Sequence, residues 1–327
     1  MSENPKILCF RITEYDDLAF CPLFFLKDHY FFRGQADGKW RLQTSLERRY
    51  SDYHKESFKT GVQEHHIEKK EEKFFSNAFS KDLTVLGEYN AIQKYCHLNS
   101  LPIQDEKNFA VEVLAKMQHY GAATRLLDVT TSFLIALFFA FEEYGEQDRA
   151  VWIFNGSFFY KQSGIIQQRT NWDTKEEEDR IFLELMNNKS ELRKCCCKYA
   201  DEFIYAPKHS LGTKTAIVPL EMNGNNPRLV AQNGAFLFPT QLNKSFEDNL
   251  CTVLDMAKED FSAACKKALR IKIKNFDKLD LMNTAVIKLI IPVKIRHLAE
   301  RLFNAANISY QSIYPDEIGI AKSIKYW

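Results

Sequence analysis

The stretch His119-Tyr120-Gly121-Ala122-Ala123-Thr124-Arg125-Leu126-Leu127-Asp128-Val129-Thr130-Thr131-Ser132 decides the fold. It runs directly into the apolar segment Phe133-Leu134-Ile135-Ala136-Leu137-Phe138-Phe139-Ala140-Phe141. Just upstream, Phe109, Val113, Leu114 and Met117 recur at spacings that share one helical face. Gly121 falls where a helix takes its C-terminal glycine. Thr130, Thr131 and Ser132 precede the apolar run and are good N-cap residues. The pattern predicts a helix, a tight polar loop and then a buried helix. Polar groups wedged between two buried elements cost free energy unless they are hydrogen-bonded or engaged by a ligand. This stretch is therefore where chemistry is expected.

Toward the N-terminus, His29-Tyr30-Phe31-Phe32-Arg33-Gly34-Gln35 reads as a buried strand ending in a Gly turn. Trp40, Leu42 and Leu46 continue it, with Thr44 and Ser45 as helix caps. Residues 7–15 read as a short strand and 20–25 as a following helix or turn. Residues 50–83 form a charged helical stretch of mixed sign, which suits a solvated face. His65 and His66 lie within it and lack a third ligand at a useful spacing for metal.

Toward the C-terminus, Ala150-Val151-Trp152-Ile153-Phe154 reads as a buried strand, and residues 160–198 as a polar helical insertion or cap rather than core. Residues 205–207 and 215–221 read as further strands. Asn223-Gly224-Asn225-Asn226-Pro227 is a turn signal, and Arg228 to Phe238 reads as two short strands joined at Asn233-Gly234. Leu289-Ile290-Ile291-Pro292 is a strand, 293–306 an amphipathic helix, and Ile313-Tyr314-Pro315-Asp316 a turn into a last helix. Repeats, low-complexity tracts and a clear linker are absent from the sequence. The expectation is one α+β domain over residues 1–327. Its core spans 7–240, with helical insertions at about 50–83 and 160–198 and a C-terminal α/β unit at 285–327.

Composition narrows the class further. A net charge of +1 gives no overall pull toward nucleic acid or membrane, although a local basic groove remains open. The 26 phenylalanines can furnish a large aromatic core. The chain opens with the polar Met1-Ser2-Glu3-Asn4-Pro5-Lys6, unlike a secretory leader. The run from Phe133 to Phe141 is well short of the roughly 20 residues a membrane span needs. The eight cysteines lack framework spacing and are expected to be reduced thiols. A cytoplasmic protein without a membrane partner is the expectation.

Dinucleotide-fingerprint, Walker, His-Glu-x-x-His, Gly-x-Ser-x-Gly and Cys-x-x-Cys motifs are all missing from the sequence. What remains is a set of polar anchors. Arg33 is a charge inside an apolar strand and needs a partner or a ligand. Its planar fork suits phosphate or carboxylate, and Gly34 would let a ligand approach the backbone. An Arg33–Asp128 ion pair is the structural alternative. His119 and Tyr120 can stack on or bond to a ring, or simply end a helix. Arg125–Asp128 reads as a structural pair. Gln232 can orient a ribose hydroxyl, or serve as a turn residue.

These anchors resemble the FRG domain family, named for a Phe-Arg-Gly motif, here Phe32-Arg33-Gly34 with Gln35, Trp40 and Ser45-Leu46. The resemblance continues through His119-Tyr120-Gly121, Thr124-Arg125-Leu126-Leu127-Asp128, Ala136-Leu137-Phe138-Phe139-Ala140, the Arg228…Phe236 block and the Ile291-Pro292…Tyr314-Pro315-Asp316 ending. Val129 stands where the family usually has Trp. A second resemblance is to mono-ADP-ribosyltransferases. Those enzymes carry an aromatic-Arg-Gly strand, a Ser-Thr-Ser-type strand leading into an Ala-x-x-Phe helix, and a later strand with a catalytic Glu. Phe32-Arg33-Gly34 is similar to the first, and Val129-Thr130-Thr131-Ser132 with Ala136 and Phe139-Ala140 to the second. The third element departs, with Arg228 and Gln232 in that region and Glu221 on the preceding strand.

This second resemblance implies a split β-sheet core and NAD as co-substrate. It implies Arg33, Tyr120 and Gln232 or Glu221 in catalysis, and Arg33, Gly34, Gln35, His119, Tyr120, Thr130, Thr131 and Ser132 around NAD. Arg228, Trp40 and Arg41 fall on the acceptor side. It also implies a toxin or phage-defence effector that acts on RNA or protein and has a neutralising antitoxin. Two other functions stay open: a non-catalytic module that senses a ligand or partner, and a metal-dependent nuclease built on Asp128, Glu221 and Asp316.

Overall fold

The structure is a computed structural model. It describes residues 6–12, 18, 29–49, 92–94, 96–98, 109–165, 174–205, 215–222, 226–242, 244–270 and 284–324. Several expected features lie outside these residues: the helix or turn at 20–25, the charged helix at 50–83 with His65 and His66, the strand at 206–207 and the turn at 223–225.

The described elements run in this order: β1 (Ile7–Arg11), β2 (Tyr30–Gln35), α1 (Ala110–His119), β3 (Leu127–Thr130), α2 (Phe133–Phe141), β4 (Arg149–Asn155), α3 (Gly156–Ser163), α4 (Lys175–Asn187), α5 (Lys189–Tyr205), β5 (Ile217–Glu221), α6 (Pro227–Ala231), β6 (Gly234–Pro239), α7 (Phe246–Val253), α8 (Lys258–Lys266), β7 (Leu269–Arg270), β8 (Val286–Ile291), α9 (Arg296–Ala305), α10 (Tyr310–Ile313) and α11 (Glu317–Ile324). The strands form one mixed sheet in the order β5-β6-β3-β2-β4-β8-β1-β7, so the fold is α+β. Among the described strands only β1 pairs in parallel, with β7 and β8. β8 comes from the C-terminal segment yet lies inside the sheet, between β4 and β1.

The sheet is uneven. β2 and β4 pair along six positions, but β2 and β3 meet at one, Phe32 opposite Thr130. Beyond that point β5-β6-β3 and β2-β4-β8-β1-β7 diverge. Period-2 alternation divides β2 between two cores. Phe31 belongs to the larger core, with Trp152, Phe154 and Leu127, while Phe32 belongs to the core built on α2, with Phe10, Val151 and Ile153.

α2 is apolar on nearly every side and is buried accordingly. Ser132 caps it by accepting the Ile135 N–H at 3.4 Å, as the sequence suggested. α2 lies so close to β2 that a Cβ on Gly34 would stand 1.9 Å from the Ala136 carbonyl oxygen. The Phe-Arg-Gly glycine therefore serves backbone packing of β2 against α2. α1 ends as expected. Gly121 takes φ +88°, its N–H reaches Gln118 O, and the Ala122 N–H reaches Met117 O. This is the Schellman pattern of a helix C-terminus.

Three expectations change. Residues 127–130 form β3 rather than a loop, because β6 and β2 supply partners that a local reading cannot see. Residues 228–231 are helical, not a strand. Asn226 accepts the Arg228 and Leu229 N–H groups and Pro227 occupies the first turn, a helix start that resembles a turn in sequence. Asn233 (φ 44°) then turns the chain into β6. The segment 160–198 is core as well as cap, since its described residues Phe182, Leu185, Leu192, Cys196 and Cys197 are buried in the larger core.

Candidate functional site

Arg33 leaves β2 where β2 and β3 part. Its Nη1 donates to the Asp128 carbonyl oxygen at 2.6 Å and stands 3.9 Å from the Asp128 carboxylate. Its Nε is buried without an acceptor. Burial lowers its pKa to about 10; Asp128 opposes that shift and the nearby positive charge of Arg48 adds to it. Asp128 is half-exposed and is held by Gln118, whose Nε2 donates to Oδ1 at 2.5 Å. Gln118 in turn bonds Thr124 Oγ1, and the Thr124 N–H donates to Ser45 Oγ at 3.0 Å. The expected Arg125–Asp128 pair is not formed. Arg125 is buried with its guanidinium 5.2 Å from the Phe238 ring centre.

Arg33 lines an open cavity of about 890 Å³ together with Thr130, Trp40, Arg41, Glu142, Ala235 and Tyr314. A second lobe of about 460 Å³ contains Ser45, Arg49, Lys116, Gln118 and His119. Arg48, Asp128, Arg228, Leu229, Gln232 and Phe236 line both lobes, so the two form one cleft. α6 places Arg228 and Gln232 one turn apart on the same face, toward this cleft. Gln232 donates from Nε2 to Ile313 O at 3.3 Å, and its backbone carbonyl accepts from Thr130 Oγ1 at 2.8 Å.

Other expected site residues are engaged structurally. The Gln35 amide joins Arg41 O and Trp152 Nε1 at 3.0 and 2.7 Å. Thr131 follows the turn at Asn233, and Ser132 caps α2. Arg41 lines the cavity but pairs with Glu247 at 2.7 Å. Trp40 is 51% exposed on the cavity wall, and Tyr120 is 80% exposed and lines neither lobe. Glu221 also lines neither lobe. Its carboxylate adds to the burial that raises the Tyr160 and Cys196 pKa values.

Sequence reasoning missed the far wall. Glu142, the first charged residue after the apolar helix, accepts from Tyr314 Oη at 2.7 Å and pairs with Lys322. The Arg228 guanidinium lies 4.6 Å over the Tyr314 ring. Burial, then Glu142, raises the Tyr314 pKa, so the phenol is a fixed donor. Among the described residues no group of three or more His, Cys, Asp or Glu side chains can hold a metal ion. Asp128, Glu221 and Asp316 thus do not converge as a nuclease centre would require.

The fold and cleft define a class: an α+β protein with an arginine-lined cleft where its sheet divides. Residues 28–149, from β2 through α2 to the start of β4, match the family model described as FRG domain. No curated protein and no solved structure matches the chain. Among the described residues no helix is long and apolar enough to cross a membrane.

Proposed function

We propose that this cleft is the NAD site of an ADP-ribosyltransferase that modifies a macromolecule, in keeping with a toxin or phage-defence effector. The observation that carries the reading is Arg33: a largely buried guanidinium whose Nε lacks an acceptor, facing a cavity it shares with Arg48 and Arg228. Three cations around one cavity call for a multiply charged anion, and a pyrophosphate satisfies the planar fork of arginine. The cavity is within the range of about 300–1,000 Å³ common for small-molecule sites. The resemblance to mono-ADP-ribosyltransferases in β2, β3 and α2 supports the same reading, as does the single-bridge junction of the two half-sheets.

In this mechanism Arg33 and Arg228 hold the pyrophosphate, and Phe236 stacks the nicotinamide in place of the outlying Tyr120. The Gln232 amide oxygen accepts from a ribose hydroxyl. The bond from C1′ to the nicotinamide nitrogen breaks, and its electron pair leaves with neutral nicotinamide. The acceptor nucleophile then bonds to C1′. Its proton passes to Asp128, the half-exposed carboxylate common to both lobes, which Gln118 holds in place.

One feature favours a second reading, a non-catalytic sensor of a phosphorylated ligand: Gln232 stands where these enzymes use an acid. Calorimetric titration with NAD, followed by nicotinamide release, separates the two. Release that is lost in Arg33→Lys supports transfer. Binding without release in the presence of cell extract supports the sensor, and absence of NAD binding removes the first reading.

A further inference from the structure

The outer lobe differs from the inner one in what faces it. Arg49 and Lys116 are exposed and make no ion pair among the described residues. Among the described residues the Arg48 guanidinium donates only to the Gln43 carbonyl, at 2.7 Å, and Arg228 lies over Tyr314. The lobe's acids are already engaged, Glu112 by Arg193 and Asp128 by Gln118 and Arg33. The result is a strip with excess positive charge, formed by residues 45–49 on one side and the end of α1 on the other. Tyr120, between His119 and Gly121 of that lobe, is 80% exposed with its ring edge-on to His119 at 5.3 Å, and Trp40 stands exposed on the inner wall.

We propose that the outer lobe binds a single strand of nucleic acid, with its phosphates on Arg48, Arg49 and Lys116 and an unpaired base stacked on Tyr120. This rests on the reading of the cleft as an ADP-ribosyl transfer site, and it makes the strand the acceptor. Excess cations together with exposed ring faces are the combination that single strands require, because each phosphate wants a cation and each unstacked base a platform. An acidic polypeptide would use the cations and leave the rings without a role. The open lobe lies beside Asp128, so a strand held there presents a nucleophile to the same carboxylate that takes its proton.

The test uses the full chain and a labelled single-stranded oligonucleotide of about a dozen nucleotides, long enough for one binding site. Anisotropy is read across a salt series, with polyglutamate as competitor, and NAD binding is measured separately by calorimetry. The Arg49→Gln/Lys116→Gln double variant is expected to bind about tenfold or more weaker and to lower the salt slope by about 1.4, roughly 0.7 per lost phosphate contact. Tyr120→Ala should weaken binding about fivefold or more at unchanged slope. Lys198→Gln, on the exposed side of α5, should change neither. Arg49→Gln alone, at an exposed side chain, provides the answer if the double variant does not fold. Wild-type affinity in the Arg49 and double variants overturns the proposal, as does polyglutamate that competes as well as unlabelled oligonucleotide. Oligonucleotide bound without NAD keeps the strand site and removes the transferase reading. NAD bound without oligonucleotide does the reverse.

Discussion

Arg33 on β2 and Arg149 on β4 are both largely buried, and both leave Nε without an acceptor. They do different work. Arg149 donates to three backbone carbonyls: Ala36, Glu143 at 2.9 Å and Gly145 at 3.1 Å. These tie the end of β2 and the exit of α2 to the start of β4. Arg33 has one carbonyl, one carboxylate at a distance, and a cavity in front of it. A buried cation surrounded by carbonyls is a fastener, whereas one left facing a cavity is available to a ligand. Motif reading alone singles out Arg33 and passes over Arg149.

The sharpest way to break this contrast is Arg149→Met. Three part-buried carbonyls lose a charged donor, and each such bond is worth about 1.5–3 kcal/mol net. The denaturation midpoint should fall further than for any of the substitutions that follow. Arg33→Met should fall much less, and equal losses would mean that both arginines are fasteners. Gly34→Ala comes next. The new methyl meets backbone of α2, which cannot swing aside as a side chain can, so a loss of about 1–3 kcal/mol or more is expected in thermal unfolding. An unchanged midpoint would show that α2 can move off β2.

Arg33→Lys sharpens the comparison from the other side. Lysine keeps the charge but loses the fork. Thermal stability should stay close to wild type, while NAD binding weakens about tenfold or more, a change of about 1.4 kcal/mol. Undiminished binding by the lysine variant would make Arg33 a general electrostatic contributor and remove it from the pyrophosphate.

Most of the scaffold is legible in the sequence because its signals are local. The apolar runs of β2, β4 and β8, the Ser132 cap and the positive-φ Gly121 each declare themselves within a few residues. What stays hidden depends on remote partners. β3 is four residues long and exists because β6 pairs along it. Gly34 reads as a ligand glycine in sequence, and its packing against α2 shows only once the helix lies on it. Asn226-Pro227 starts a helix or a turn equally well in sequence, and that ambiguity conceals the pairing of Arg228 with Gln232 on one helical face. Within the cleft, Arg33, Arg228 and Gln232 stand out by their neighbours. Glu142, Gln118 and Tyr314 acquire their roles only when segments far apart in sequence close around them.

Glu47 extends the comparison to an acid. Like Arg149 it is buried and engaged with backbone, accepting the Phe246 N–H at 2.8 Å at the start of α7. Burial raises its pKa to about 7, assisted by the neighbouring Glu247 and opposed by the Phe246 and Thr44 hydrogen bonds and by Arg41. The folded chain therefore keeps a proton that the unfolded chain releases near pH 4–5. More protons bound in the folded state means stability that falls as pH rises through that window and levels off above about 7. Glu47→Gln retains an oxygen for Phe246 and has no proton to lose. Wild-type unfolding midpoints should decline between pH 5 and pH 8 by an amount on the order of 1–2 kcal/mol more than those of the variant. Parallel pH profiles for the two proteins would mean that Glu47 ionises normally where it sits. The buried acid would then differ from Arg149 in being solvated, and its surroundings beside Arg41 and Glu247 would be wetter than their packing implies.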